Sequence, residues 1–188
     1  MLVEVGASVC GRYAMAGGTR IPVMIGECGT RVVLRPIGCC TLGIAGSIRK
    51  RIGEYHPPDT TDLYFDLSGA DAIDSTFIGL LLSLVSSKAG ASVPAVHLLS
   101  PSQAVLEALE RMRVLGMFEV CWSIPDPPTE WWELTGPTPE REEMTDLVIE
   151  AHQQLMDADP RNVEPFRRVV EGLQEQRPQP PPDEDKGE

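Results

Sequence analysis

Short apolar strands alternate with amphipathic helices through the middle of the chain, and this alternation limits the possible folds more than any other feature. DLYFDL at 62–67, VPAVHLL at 93–99 and FEVCWSI at 118–124 have the apolar, β-branched and aromatic residues of strands. Between them, apolar residues recur at helical spacing over 75–88 and again after Ser100. Strands joined by helical crossovers pair in parallel, so the pattern predicts an α/β fold with helices packed against a sheet.

An apolar hairpin precedes the alternating region. IPVMIGEC at 21–28 and RVVLRPI at 31–37 are separated by Gly29 and Thr30, which suit a tight turn. TLGIAGSIRKRI at 41–52 then has the spacing of a first helix. Because a hairpin contributes antiparallel strands, the predicted sheet is mixed.

The helix between the last two predicted strands has clear end signals. Ser100 is a candidate N-cap, Pro101 suits the first helical position, and Gln103 lies where a capping box places it. Gly116 is the predicted end of this helix.

After the last strand the chain becomes rich in proline. Trp131 and Trp132 lie in this segment, and we expect them to pin it to the domain; the alternative is an exposed pair that binds a ligand. Two helical patterns follow, and they predict an antiparallel pair joined at DADPRN, where Asp159 or Asn162 can cap a helix.

The sequence therefore predicts a chain with one globular module and several extensions. The predicted parts are a disordered extension at 1–19, an α/β domain at 20–124, a proline-rich linker at 125–139, a helical pair at 140–176 and a disordered acidic tail at 177–188.

Charge and composition exclude several classes of function. A formal net charge of −12 opposes binding to nucleic acid or to anionic membranes. The longest apolar run, FIGLLLSLV, is too short to cross a bilayer, and no basic region precedes the N-terminal apolar residues, so we expect no membrane segment and no secretory signal. The five cysteines have no zinc-ligand spacing, so we expect reduced thiols in the cytoplasm, no metal and no cofactor.

Two adjacent hydroxyl side chains, Ser75 and Thr76, lie where the DLYFDL strand passes through a turn into the next helix. Helix N-termini have backbone N–H groups without partners inside the helix, and their dipole favours negative charge. Asp74 or Ser75 could therefore be an ordinary N-cap. Alternatively, Ser75 could accept a phosphoryl group, which this position tolerates.

Here the sequence resembles a known family. DLSGADAIDSTFIGLLL, followed by GASVPAVHLLSPSQAVLEALERMRVLGMFEV, is similar to the STAS domain of anti-sigma factor antagonists. The shared pattern is a strand ending in Asp-Leu, then Asp-Ser-Ser/Thr-x-Leu/Ile-Gly opening a helix, then a strand, Ser-Pro, and a helix closing with Leu-Gly-x-Phe. The resemblance extends back to the hairpin and covers about residues 20–124.

The resemblance implies partner switching in bacterial signalling. The unmodified domain would bind an anti-sigma factor that is also a serine kinase, and so free the sigma factor. The kinase would phosphorylate Ser75, with Thr76 as the fallback acceptor, and a PP2C-type phosphatase would reverse this. Asp74 would support the kinase contact, and Ile78 and Gly79 would help form the docking surface.

Two other functions remain open from the residues alone. A Ser75–His97–Asp66 triad would make the chain a hydrolase, although no catalytic motif accompanies these residues. A non-switching STAS scaffold, or a ligand-sensing module in a signalling complex, would use Ser75 only as a helix cap. We expect no enzymatic activity.

Overall fold

The computed structural model describes residues 23–54, 60–86, 95–134 and 139–176. The predicted extension at 1–19 and the predicted tail at 177–188 lie outside the described residues.

Eight strands and five helices form within these ranges. The strands are β1 (Val23–Cys28), β2 (Arg31–Pro36), β3 (Gly38–Cys40), β4 (Asp62–Asp66), β5 (Ala70–Ile73), β6 (Ala95–Leu99), β7 (Glu119–Cys121) and β8 (Trp132–Glu133). The helices are α1 (Leu42–Glu54), α2 (Ser75–Ser86), α3 (Gln103–Arg111), α4 (Arg141–Ala158) and α5 (Val163–Glu175).

The main sheet is mixed, as predicted. Its strand order is β7-β6-β4-β2-β1-β8, in which β1 runs antiparallel to β2 and β8 and the other neighbours are parallel. Gly29, with a φ of 64°, makes the β1–β2 turn that the sequence predicts. The short strands β3 and β5 pair in parallel as a second sheet, which the sequence analysis did not anticipate. The α/β class is confirmed.

One hydrophobic core joins the sheet to the helices that pack on it. Phe65 of β4 meets Phe77 of α2 edge to face, with ring centroids 6.3 Å apart. Leu147 and Leu155 of α4 belong to the same buried cluster. Helix α4 thus contributes to this core, and Phe166 of α5 packs against it.

Helix α3 begins and ends at residues other than those predicted. Ser100 has a φ of 48°, whereas an N-cap needs extended backbone, and Ser102 has that conformation and accepts a hydrogen bond from the Val105 N–H. The helix ends at Arg111, and Arg113 takes the left-handed conformation with a φ of 59°. Gly116 instead lies in a separate 3₁₀ turn.

The turn between α4 and α5 uses both candidate capping residues, in different roles. Asp159 accepts a hydrogen bond from the Arg161 N–H in a 3₁₀ turn that precedes α5. Asn162 does not cap α5, because its amide donates to the carbonyls of Met112 and Leu155. Asn162 thus fastens this turn to the end of α3.

The proline-rich segment crosses the sheet and adds an unpredicted strand to it. Trp132 and Glu133 form β8, which extends the sheet beyond β1. The Arg35 guanidinium lies 3.8 Å from the centre of the Trp131 ring, so Trp131 pins the segment as predicted. The Trp132 side chain is 40% exposed.

The prediction of reduced thiols is only partly correct. Cys28, Cys40 and Cys121 are free, but Cys39 is disulfide-bonded. Within the described residues, no helix is both long enough and apolar enough to span a membrane.

Candidate functional site

Asp74 joins the first turns of two helices. Its Oδ1 accepts a hydrogen bond from the Phe77 N–H at 2.8 Å, which makes it the cap of α2. Its Oδ2 accepts from the Leu42 N–H at the start of α1, at 3.0 Å. Burial raises the pKa of this carboxyl group, and the hydrogen bonds oppose that rise. Asp74 therefore fixes where α2 begins relative to α1.

Because Asp74 is the cap, the Ser75 hydroxyl is available for another contact. Ser75 is the first residue of α2 and its side chain is half-buried. Its Oγ lies 2.9 Å from Nε2 of His152, which belongs to α4. This hydrogen bond links the predicted phosphoacceptor to a helix outside the part of the chain that resembles a STAS domain.

His152 is a buried side chain with two specific contacts. It is 6% exposed, and its ring stacks on Phe166 of α5 with centroids 4.7 Å apart. Burial lowers its pKa, while the Val148 carbonyl and the Asp74 carboxylate oppose this. Nδ1 has no well-formed hydrogen bond to any described residue. The ring is therefore neutral at pH 7, and Nε2 accepts from or donates to Ser75 according to its tautomer.

The other predicted site residues face the protein interior. Thr76 is 6% exposed and Ile78 is 1% exposed. Gly79 lies against Ala151 of α4 so closely that a Cβ at position 79 would collide with the Ala151 backbone. All five predicted site residues lie at the start of α2, but α4 covers the face that carries Gly79.

The structure does not bring the candidate catalytic triad together. His97 is hydrogen-bonded to Asp62 at 2.9 Å and stacks on Tyr64. Asp66 is paired with Arg35 at 2.7 Å. The histidine beside Ser75 is His152, which the sequence analysis did not select. The sequence does indicate that His152 faces the interior, since it lies four residues after Val148 and three before Leu155, on the apolar face of a predicted helix.

A groove of about 700 Å³ opens near this site. Leu42, whose N–H binds Asp74, lies on one side of it, and Met144, Val148 and Leu173 form much of its apolar lining. Arg141, Glu142 and Asp146 add charged groups. The described residues contain no cluster of three or more side chains that could hold a metal ion.

Comparison with known proteins finds a similar solved structure, but no matching family model and no matching curated sequence. No protein-family model matches the chain, and no curated protein matches it. The chain is similar to the crystal structure of a proposed anti-sigma factor antagonist from Thermotoga maritima, at 20% sequence identity. The likeness covers 51% of this chain and 82% of that one, with a TM-score of 0.45.

We expect acid to destabilise the protein through His152. Its pKa is lowered in the folded state, so below about pH 6.5 the unfolded chain binds a proton that the folded chain does not. Stability should therefore fall as pH drops from about 7.5 to 5.5. Urea unfolding at both values measures the fall, and it should be smaller in His152→Leu, which does not titrate at this position. Equal falls in the two proteins would show that His152 is not responsible.

Proposed function

We propose that this protein is an anti-sigma factor antagonist that acts by partner switching. In the unmodified form it binds an anti-sigma factor that is also a serine kinase. Phosphorylation of Ser75 releases that partner, and a PP2C-type phosphatase restores binding. The support is the resemblance of the Asp74–Gly79 region to the family pattern, together with the position of one partly exposed serine at the start of α2.

The observation that carries this proposal is the difference in exposure between the two adjacent hydroxyl-bearing residues. Thr76 is buried, whereas Ser75 is half-exposed and its hydroxyl is not used as a cap. A kinase must place the acceptor oxygen in line with the transferred phosphoryl group, so it needs an accessible hydroxyl. Ser75 is therefore the better acceptor of the two.

A phosphate at Ser75 would change the charge of this site strongly. It adds a charge of about −1.5 to −2, which the N-terminus of α2 tolerates. The Asp74 carboxylate is the adjacent residue and would add to the negative charge. A partner that approaches the site with an apolar or acidic surface would then be repelled, while Asp74 would still cap α2.

A pull-down from native lysate tests the proposal. The baits are wild type, Ser75→Ala, Ser75→Asp and Ser47→Asp, with bound proteins identified by mass spectrometry. Ser47 is a matched control, because it is a half-buried helical serine whose hydroxyl donates to the Gly43 carbonyl of its own helix. We expect wild type, Ser75→Ala and Ser47→Asp to retain a small ATP-binding kinase that Ser75→Asp loses at least tenfold.

Two results would contradict partner switching. Retention of the same partners by all four baits would show that a charge at position 75 does not control binding. Equal loss with Ser47→Asp and Ser75→Asp would show a nonspecific charge effect.

A ligand-sensing module is the second candidate, and the groove beside Leu42 favours it. This groove has the volume and mostly apolar lining of a small-molecule site, with charged groups at its edge. Val148 lines this groove and lies one helical turn from His152. A bound ligand would therefore contact α4, the helix whose His152 is hydrogen-bonded to Ser75. A thermal-shift screen of wild type against Val148→Trp tests this, because the larger side chain should abolish any stabilisation by a groove ligand.

A further inference from the structure

His152 connects Ser75 to both C-terminal helices. One edge of its ring is hydrogen-bonded to the Ser75 hydroxyl, at 2.9 Å, and its face stacks on Phe166. It is itself carried by α4. A chemical change at Ser75 therefore acts on a side chain that contacts α4 and α5 at once.

Helix α4 covers the face of α2 that the resemblance implies for docking. Ala151 of α4 touches Gly79, and the buried side chains of Leu147 and Leu155 pack into the common core. Because these apolar residues are buried, complete release of α4 would expose much of the core. A local loosening of the helix pair is the change that the packing allows.

A phosphate on Ser75 would change its contact with His152. The esterified oxygen no longer has a proton to donate, so a bond in which Ser75 donates to Nε2 is lost, and a bulky charged group must be accommodated beside the His152 ring. The charged group that faces this site from the adjoining turn is the Asp74 carboxylate, which is also negative. The phosphate would therefore displace the ring or the helix that carries it.

We propose that the C-terminal helix pair is an internal reader of Ser75, held in place by the Ser75–His152 hydrogen bond and loosened when Ser75 is phosphorylated. This inference rests on the proposed function for its biological meaning. It makes His152 a positioning residue, which transmits the state of Ser75 to α4 and α5. Loosening would then uncover part of the α2 face next to Gly79 and change which partner the protein can bind.

Hydrogen exchange measured by mass spectrometry on the full chain tests this directly. Phosphoserine is inserted at position 75 during translation, and in a control protein at position 47, so no kinase needs to be known. We expect peptides from α4 and α5 to exchange about tenfold faster with phosphoserine at position 75, as for the loss of one side-chain hydrogen bond. The control should change these peptides by less than about twofold.

A second pair of proteins tests whether His152 carries the effect. In the His152→Leu background the hydrogen bond is already absent, while a side chain of similar size keeps the apolar contact with Phe166. Phosphoserine at position 75 should then change exchange in α4 and α5 by less than about twofold. An equal effect in both backgrounds, or unchanged or slower exchange with phosphoserine at position 75, would overturn the inference.

The outcomes separate this inference from the proposed function. If Ser75→Asp loses its partner in the pull-down while α4 and α5 exchange normally with phosphoserine, partner switching stands and the reader role is wrong. If exchange responds but every bait keeps its partners, the coupling is real and partner switching is wrong.

Discussion

Replacing Gly79 with alanine should destabilise the protein by about 3 kcal/mol, although alanine favours helix by about 1 kcal/mol over glycine. The reason is the contact between α2 and α4. A Cβ at position 79 would collide with the backbone and Cβ of Ala151, and a backbone cannot move aside as a flexible side chain can. Helix α4 would have to shift outward, and the packing of Leu147 and Leu155 would loosen with it.

Gly172→Ala is the matched control, because Gly172 is also a helical glycine and nothing lies within 4 Å of its added Cβ. This change should stabilise the protein by about 0.5–1 kcal/mol through helix propensity alone. Thermal unfolding separates the two: we expect a fall in Tm of about 6–12 °C for Gly79→Ala and a small rise for Gly172→Ala. A fall of less than 2 °C for Gly79→Ala would mean that α4 does not pack on α2 as closely as described.

The α/β fold could be read from the sequence because its signals are local. The β1–β2 hairpin follows from two apolar segments around Gly29, and α2 follows from the spacing of its apolar residues. The ends of α3 were harder, since Ser100 and Ser102 are both plausible caps by residue type. Backbone conformation decides between them, and the φ of 48° at Ser100 depends on how the chain leaves β6.

The features of the site that could not be predicted from the sequence depend on contacts between residues far apart in the chain. Ser75 and His152 are 77 positions apart, and no spacing rule connects them. The short strand β8 was missed for the same reason, because only its pairing with β1 makes a strand of two residues. The sequence could show that Ser75 lies at the start of a helix, but not that its hydroxyl would be hydrogen-bonded to a side chain of a second helix.

These contacts also change the meaning of the predicted docking residues. The resemblance implies that Ile78 and Gly79 belong to a surface that a partner would use, yet Ile78 is buried and Gly79 touches Ala151. A partner approaching the unmodified protein would meet the start of α2 at Ser75 and the outer surface of α4 instead. Docking through Gly79 therefore requires movement of α4, and in the proposed mechanism the Ser75–His152 hydrogen bond opposes that movement.

Replacing Asp74 with alanine should cost about 2–3 kcal/mol and also weaken any function of Ser75. The change removes the cap of α2, worth about 1 kcal/mol, and leaves the Leu42 N–H at the start of α1 without its partner. Burial of the Asp74 carboxylate has a cost, which is also why its pKa is raised. The alanine variant no longer has this cost, so part of the loss is offset. Because Asp74 immediately precedes Ser75, loss of the cap should also shift the Ser75 oxygen relative to His152.

Asp74→Asn distinguishes the two contacts of this side chain. The asparagine oxygen can still accept from the Phe77 N–H, but its amide cannot accept from Leu42. We therefore expect a loss of about 1–2 kcal/mol, between wild type and Asp74→Ala, measured by urea unfolding at pH 7.5. If the asparagine variant is as unstable as the alanine variant, the contact with Leu42 is the main one. If it is as stable as wild type, the role of Asp74 is confined to capping α2, and the link between α1 and the Ser75 site is not needed to hold that site in place.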